Sequence, residues 1–252
     1  MRSLFWYLLG ISTLMQSCSS ESEESVLRIA AAANMQFAMA ELVDSFTAAT
    51  QVPCQLIISS SGKLTAQIKA GAPYDIFISA DLKYPQEIES AGLALAPPEV
   101  YAYGRLVLWS TKAKSTPSLD QLRDPNLRHL ALANPQTAPY GRAAREYLEQ
   151  ANLWEDLQSK CVFGESIAQT NQFIVSQAAE LGFTAMSVVK APSQAQRGRW
   201  IEVPDSTYRP ISQGIVLLQT EKDPQAARDF LTFILSSQGQ TILESFGYRR
   251  RQ

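Results

Sequence analysis

LIISSSGKLTAQIKAG, residues 56–71, joins an apolar run to a helix-like pattern through three serines and a glycine. Leu56 to Ser59 reads as a strand, and Lys63 to Ala70 as a helix closed by Gly71. Lys63 after Gly62 invites comparison with a phosphate-binding loop. That loop needs G-x-x-x-x-G-K-[ST], and here Ile57 stands at the upstream glycine and Leu64 at the metal-binding hydroxyl. The ATP or GTP reading fails at both positions. Two readings of the serines remain. They cap a helix by satisfying its orphan N–H groups, or they present donors to a ligand.

Outward from this stretch, apolar runs and helical patterns alternate along the chain. Strands are expected at Val26–Ala33, Asp75–Ser79, Leu106–Ser110, Leu130–Ala133, Val162–Phe163, Phe183–Val189, Trp200–Val203 and Ile215–Leu218. Met35, Met39, Leu42 and Phe46 recur at helical spacing and mark one face of the first helix. Further helices are expected over Tyr84–Ala91, closed by Gly92, over Gly141–Leu153, and over Ala168–Leu181, with Gly182 at its end. Pro224–Ser236 reads as a helix with Asp223 as N-cap, and a final short helix runs to about Ser245. The alternation predicts an α/β fold with mostly parallel sheets flanked by helices. Polar, turn-rich TKAKSTPS and DSTYRPISQG divide the chain near residues 106 and 208. The expected organisation is a leader and tether over 1–25, one lobe from 26–106 plus 209–252, and a second lobe over 107–208.

Bulk composition narrows the function classes. The chain has 252 residues, 46% of them hydrophobic and 18% charged, enough apolar material for a core. Its net charge of -2 lacks the basic footprint of a nucleic-acid binder. An anion must therefore be held by local geometry. MRSLFWYLLGISTLMQSC carries Arg2, an apolar stretch from Leu4 to Met15, and Ser17-Cys18. It reads as an export signal, with lipid anchoring at Cys18 and plain secretion as the two alternatives. SSESEES after it is an acidic tether. Cys54 and Cys161 read as small buried hydrophobes, with a disulfide as the alternative. The one histidine, His129, stands without a second histidine or a C-x-x-C pair, so no metal ion or cofactor is expected.

Four strand-to-helix junctions share small residues, a hydroxyl or an amide. They are Ala32-Ala33-Asn34, Ser59-Ser60-Ser61-Gly62, Ala138-Pro139-Tyr140-Gly141 and Glu165-Ser166-Ile167-Ala168. In parallel sheets such junctions lie at the carboxyl edge, where ligands bind. Each aims free N–H groups and the positive end of a helix dipole outward. If they converge, they form an anion site without a cation. Asn34 would donate through its amide, Ser61 and Tyr140 through hydroxyls, and Ile167 through its backbone, with Gly62 and Gly141 allowing close approach. Four hydrogen bonds to a charged group supply ~6–12 kcal/mol, against ~8 for micromolar binding. If the junctions do not converge, they are four ordinary caps. Lys63 and Arg142 are expected to face solvent.

RIAAAANM, SSSGKLTAQIKAGAPYDIFISAD, ANPQTAPYGRAAREYLE, GESIAQT and ELGFTAMS together resemble the periplasmic molybdate-binding proteins of ABC importers. The resemblance runs from about Val26 to Tyr248 and is most specific over Ser59–Asp81. It implies a two-lobed periplasmic binding protein of type II with the oxyanion in a cleft between the lobes. By motif, the ligand residues would be Asn34, Ser61, Tyr140 and Ile167, flanked by Ala33 and Ser60. It implies capture of molybdate or tungstate outside the cytoplasmic membrane and delivery to permease and ATPase subunits by a monomer. Many members carry a tyrosine where Ala185 stands, and Tyr140 would replace that hydroxyl from the opposite loop. Asp75 and Asp81 are expected to orient loops, since a carboxylate repels an anion.

The implied chemistry is binding, not catalysis. Neutral donors suit a fully deprotonated tetrahedral dianion, whereas hydrogen phosphate needs an acceptor for its proton. Glu165 is the one carboxylate near enough to serve as that acceptor. Sulfate or another small oxyanion is the alternative cargo. An enzyme of a related two-lobed fold is the other alternative, disfavoured by a single histidine and the absence of a G-x-S-x-G elbow.

Overall fold

The computed structural model describes residues 26–112, 116–220 and 224–251. The leader with Cys18, and Asp223, lie outside the described residues. One sheet contains β1 (Leu27–Ala32), β2 (Cys54–Ser59), β3 (Ile76–Ile78), β4 (Glu99–Gly104), β10 (Ile211–Leu217) and β11 (Arg249–Arg250). Its order is β11-β4-β10-β3-β1-β2. The other contains β5 (Leu106–Ser110), β6 (Leu130–Ala133), β7 (Cys161–Gly164), β8 (Leu181–Ala185) and β9 (Arg199–Glu202), in the order β7-β6-β8-β5-β9. The helices are α1 (Gln36–Thr50), α2 (Ser61–Lys69), α3 (Lys83–Ser90), α4 (Pro139–Gln150), α5 (Trp154–Leu157), α6 (Ile167–Val175), α7 (Met186–Val189), α8 (Gln225–Leu235) and α9 (Ser237–Ser245). Two lobes result, each a sheet flanked by helices.

Pairing follows from connectivity. β1 pairs in parallel with β2 and β3, and β6 with β7 and β8, because a helix crosses over between successive strands. β10 and β5 run antiparallel to their neighbours. They belong to the two passages between sheets, where no helix reverses the chain. Gly104 ends the first sheet's β4 and Leu106 opens the second sheet's β5, with Arg105 alone between them. The return passage spans residues 203–210. Arg105 Nε meets Glu202 Oε1 at 2.5 Å, tying the two passages together.

Parallel register sets the site. Ala32 lies beside Ser59 and Ala133 beside Gly164, so the turns that follow leave each sheet at one level. The cores hold these edges rigid. Met35, Met39, Leu42 and Phe46 are fully buried, and Phe46 meets the Phe230 ring edge-on at 5.0 Å. Gly71 (φ +86°) and Gly92 (φ +71°) close their helices in the left-handed region.

Both sheets are mixed rather than mostly parallel, because β10, β5 and β11 pair antiparallel with their neighbours; other expectations also need correction. The helix expected to run to Leu181 stops at Val175, and the chain turns through Gln177 at φ +61°. Leu181 and Gly182 instead open β8, and Gly182 is bare because Ile174 of α6 packs where its Cβ would be. The apolar run from Phe183 to Val189 is a strand only to Ala185, then a helical turn. A run buried on all sides has no polar alternation to reveal its period. β4, with its tyrosines, was not anticipated. Among the described residues, no helix is long and apolar enough to cross a membrane.

Candidate functional site

The four junctions meet between the sheets. Asn34, Ser60, Ser61, Tyr140 and Ile167 are all at most 3% exposed. Ala33, Tyr140 and Ile167 share one apolar cluster with Ala32, Ala80 and Ala185. A chain of hydrogen bonds joins the first two junctions. The Ala80 N–H donates to Ser61 Oγ at 3.0 Å, and the Ala80 carbonyl accepts from Gln213 Nε2 at 3.2 Å. Gln213 Oε1 then accepts from Asn34 Nδ2 at 2.8 Å. Tyr140 reaches the same place from the second sheet. A Cβ on Gly104 would overlap its hydroxyl and lie 2.6 Å from Gln213 Nε2.

The donors differ in what they have left to give. Asn34 Nδ2 also donates to the Tyr248 hydroxyl at 2.8 Å, so both amide hydrogens are engaged. The Asn34 amide is therefore engaged within the protein in this structure. Ala33 and Asn34 sit at the start of a helical turn whose N-cap, Ala32, offers no capping side chain. Ser60 caps α2 by accepting from the Lys63 N–H at 3.4 Å. Ser61 Oγ accepts from Ala80, which leaves its hydrogen to donate. Ser166 caps α6 at Gln169, leaving the Ile167 N–H at the first position. Tyr140 stands apart: among the described residues, its hydroxyl is the buried side-chain oxygen without a hydrogen-bond partner. Burial first, then the neighbouring phenols of Tyr248, Tyr101 and Tyr208, hold its proton well above the ordinary tyrosine range. The Arg105 backbone lies close enough to offset a little of this, yet outside hydrogen-bond geometry. Tyr140 thus stays a neutral O–H donor.

The two walls also touch directly. Gly62 N–H donates to the Thr137 carbonyl at 3.0 Å, and the Tyr84 hydroxyl to the Gln136 carbonyl at 3.0 Å. Ser187 Oγ donates to the Asn34 carbonyl at 2.7 Å. Lys63 is exposed, as expected, although its ammonium pairs across the gap, whereas Arg142, expected in solvent, is largely covered. Lys63 pairs with Glu165, and Arg142 with Asp81 while lying 5.4 Å from the Tyr84 ring centre. The opposite charge of Asp81 draws Arg142 out of water, while the Lys63 pair stays at the solvent edge. Asp81 also accepts from the Tyr84 N–H at 3.3 Å, and Asp75 accepts from the Arg28 N–H at 2.6 Å. Both aspartates therefore hold backbone in place, and burial pushes the Asp81 carboxyl up although Arg142 pulls it down.

The sequence reading missed Gln213 and Tyr248. Both lie far from any junction along the chain, and neither forms part of a local pattern. Cys54 and Cys161 are free thiols on edge strands of different sheets. Burial pushes the Cys161 thiol up to about 12. His129 is exposed, its backbone N–H bound to Glu180 Oε2 at 2.9 Å. No group of His, Cys, Asp and Glu suited to a metal ion occurs among the described residues.

Known proteins share this fold. The family profile of bacterial extracellular solute-binding proteins matches residues 27–249. The molybdate-binding protein ModA of Azotobacter vinelandii is 33% identical over 248 residues, 98% of either chain. ModA of Rhodobacter capsulatus is 34% identical over 220 residues, 87% of this chain and 86% of that one. The solved periplasmic molybdate-binding protein of A. vinelandii superposes with a TM-score of 0.85 at 32% identity, over 90% of this chain and all of that one. A profile match over residues 27–249, relatives above 30% identity and a shared two-lobed fold lead to one conclusion: the chain belongs to the bacterial extracellular solute-binding proteins, within the molybdate-binding, ModA-type family.

Proposed function

We propose that this protein captures molybdate or tungstate outside the cytoplasmic membrane and delivers it to the permease and ATPase of an ABC importer, without transforming it. The observation that carries the reading is the buried Tyr140 hydroxyl, a donor without a partner beside uncapped helix starts from both sheets. An unmet buried donor costs ~1–3 kcal/mol, and a bound oxyanion removes that cost. Tyr140 and Ser61 donate through hydroxyls, and Ala33, Asn34 and Ile167 through backbone N–H groups, while Ser60 holds the start of α2. Every donor is neutral. Of the nearby carboxylates, Asp81 is engaged by Arg142, Ser79 and Tyr84, and the exposed Glu165 pairs with Lys63 through one oxygen, so hydrogen phosphate has Glu165 at most as an acceptor for its proton. The choice of molybdate over sulfate rests on the relatives' names.

In the same reading, residues 26–106 with 209–252 form one lobe and 107–208 the other, moving about the two passages between sheets. The protein works as a monomer, exported by the signal over Met1–Ser17 and held to the membrane through Cys18 and the tether that follows it. The test is thermal stabilisation by molybdate, tungstate, sulfate and phosphate at matched concentrations. A ligand that binds only the folded state raises its melting temperature. Molybdate and tungstate are expected to raise it most, and a larger rise with sulfate overturns the choice of cargo.

A further inference from the structure

We propose that Gln213 is the positioning residue of the oxyanion site, coupling the two first-lobe junctions to the passage between lobes. The inference rests on the oxyanion reading above and adds a residue that touches no ligand. Gln213 is fully buried on β10, a strand that returns the chain from the second lobe. The ladder between β10 and β4 slips between Gln213 and Gly214. Such a bulge re-aims a side chain, and here it accompanies an amide turned toward the junctions. Gly214 completes the device. A Cβ there would stand 2.7 Å from the Asp81 carbonyl, and the Gly214 carbonyl accepts from the Ser79 N–H at 2.7 Å. The Ser79–Asp81 loop therefore lies against β10, within reach of Gln213.

The amide uses both ends. Its oxygen accepts from Asn34 Nδ2 at 2.8 Å and from the Tyr101 hydroxyl at 3.2 Å. Its nitrogen donates to the Ala80 carbonyl at 3.2 Å, and Ala80 in turn donates to Ser61 Oγ at 3.0 Å. One side chain thus sets the Asn34 turn and, through Ala80, the direction in which the Ser61 hydroxyl points. Only a group with an acceptor and a donor on one planar head can do both. Glutamate keeps the shape, but when ionised it loses the donor and adds a negative charge beside a dianion. When protonated it restores the donor. Burial raises its pKa toward neutrality.

The experiment titrates the wild-type, Gln213→Leu and Gln213→Glu proteins with sodium molybdate by calorimetry from about pH 8 to about pH 6. Melting curves without ligand are recorded alongside. The leucine variant is expected to bind about tenfold more weakly, or worse, while remaining folded. The glutamate variant is expected to bind weakly at the upper pH and to recover most of its affinity at the lower, while the wild type stays level. A residue that only supports the fold would lower the melting temperature without this pH dependence. Leucine-variant affinity within about twofold of wild type, or a glutamate variant indifferent to pH, overturns the inference. If the leucine variant does not fold, the glutamate series decides alone. Failure of the wild type to bind molybdate sinks the oxyanion reading and this inference with it. Wild-type binding with unaffected variants sinks the inference only.

Discussion

Asn34, on the first lobe, and Tyr140, on the second, are equally buried at 2% exposure, and they are treated in opposite ways. Asn34 has both amide hydrogens engaged, at 2.8 Å to Gln213 and 2.8 Å to Tyr248, and its carbonyl accepts from Ser187 and Tyr248 as well. The Tyr140 hydroxyl meets no partner. The Asn34 side chain is satisfied without a ligand, and the Tyr140 hydroxyl carries a deficit. A saturated network holds donors in fixed directions. An unmet donor makes the folded state gain from an acceptor that arrives between the walls. Stability should therefore reside in the first wall and affinity in the second.

The largest expected effect tests the first half of that statement. Asn34→Ala removes both amide bonds and leaves the Tyr248 hydroxyl short of a donor, for a loss of ~2–4 kcal/mol in stability. Urea denaturation measures it, and a change under ~0.5 kcal/mol would mean the network is not what holds this wall. Tyr140→Phe tests the other half. Molybdate affinity should fall by ~1.5–3 kcal/mol in calorimetry, while stability without ligand holds steady or rises by up to ~1 kcal/mol. A variant that melts early and binds normally would reverse the comparison.

Two smaller effects concern how the walls meet. The Arg142–Asp81 pair is 24% and 16% exposed, whereas the Lys63–Glu165 pair is 46% and 66% exposed. Arg142→Ala strands a partly buried carboxylate and is expected to cost ~1–2 kcal/mol near neutral pH. Asp81 already titrates above its ordinary value, chiefly through burial. A raised carboxyl favours the folded state at low pH and loses that contribution as pH rises through its folded value. Without Arg142 the carboxyl rises further, so the variant's deficit should be larger at about pH 7 than at about pH 4. Equal deficits at both would show that the pair is not electrostatic in origin. Lys63→Ala is expected to change stability and affinity by less than ~0.5 kcal/mol, since water screens its pair. A large loss of affinity there would instead make a cation part of the site.

Much of the fold was legible along the chain because its signals are local. The 3.6-residue recurrence of Met35, Met39, Leu42 and Phe46, the glycines at 71 and 92, and the alternation of strand and helix each depend on near neighbours. Elements went astray where a run is buried on every side or a turn lacks its glycine. Phe183 to Val189 divided differently because it is buried throughout, and the helix from Ala168 stopped early because the chain turns at Gln177 in the left-handed region, which no glycine marks. The positions of the candidate donors were legible for a related reason. A strand that ends in small residues before a helix points N–H groups outward, and that is a property of a few consecutive residues.

What only the tertiary structure decided is how those donors are spent. Gln213 and Tyr248 lie 179 and 214 residues from Asn34, yet they take both hydrogens of its amide. Arg142 looked like a solvated cation until Asp81 appeared opposite it, 61 residues away in the chain. Periodicity and capping are set by backbone geometry over one or two turns, so the amino-acid order alone determined the α/β alternation and the four junctions. A hydrogen bond between distant residues depends on the path of everything between them. The satisfied Asn34 amide, the unmet tyrosine and the ion pairs across the gap were therefore decided by the fold.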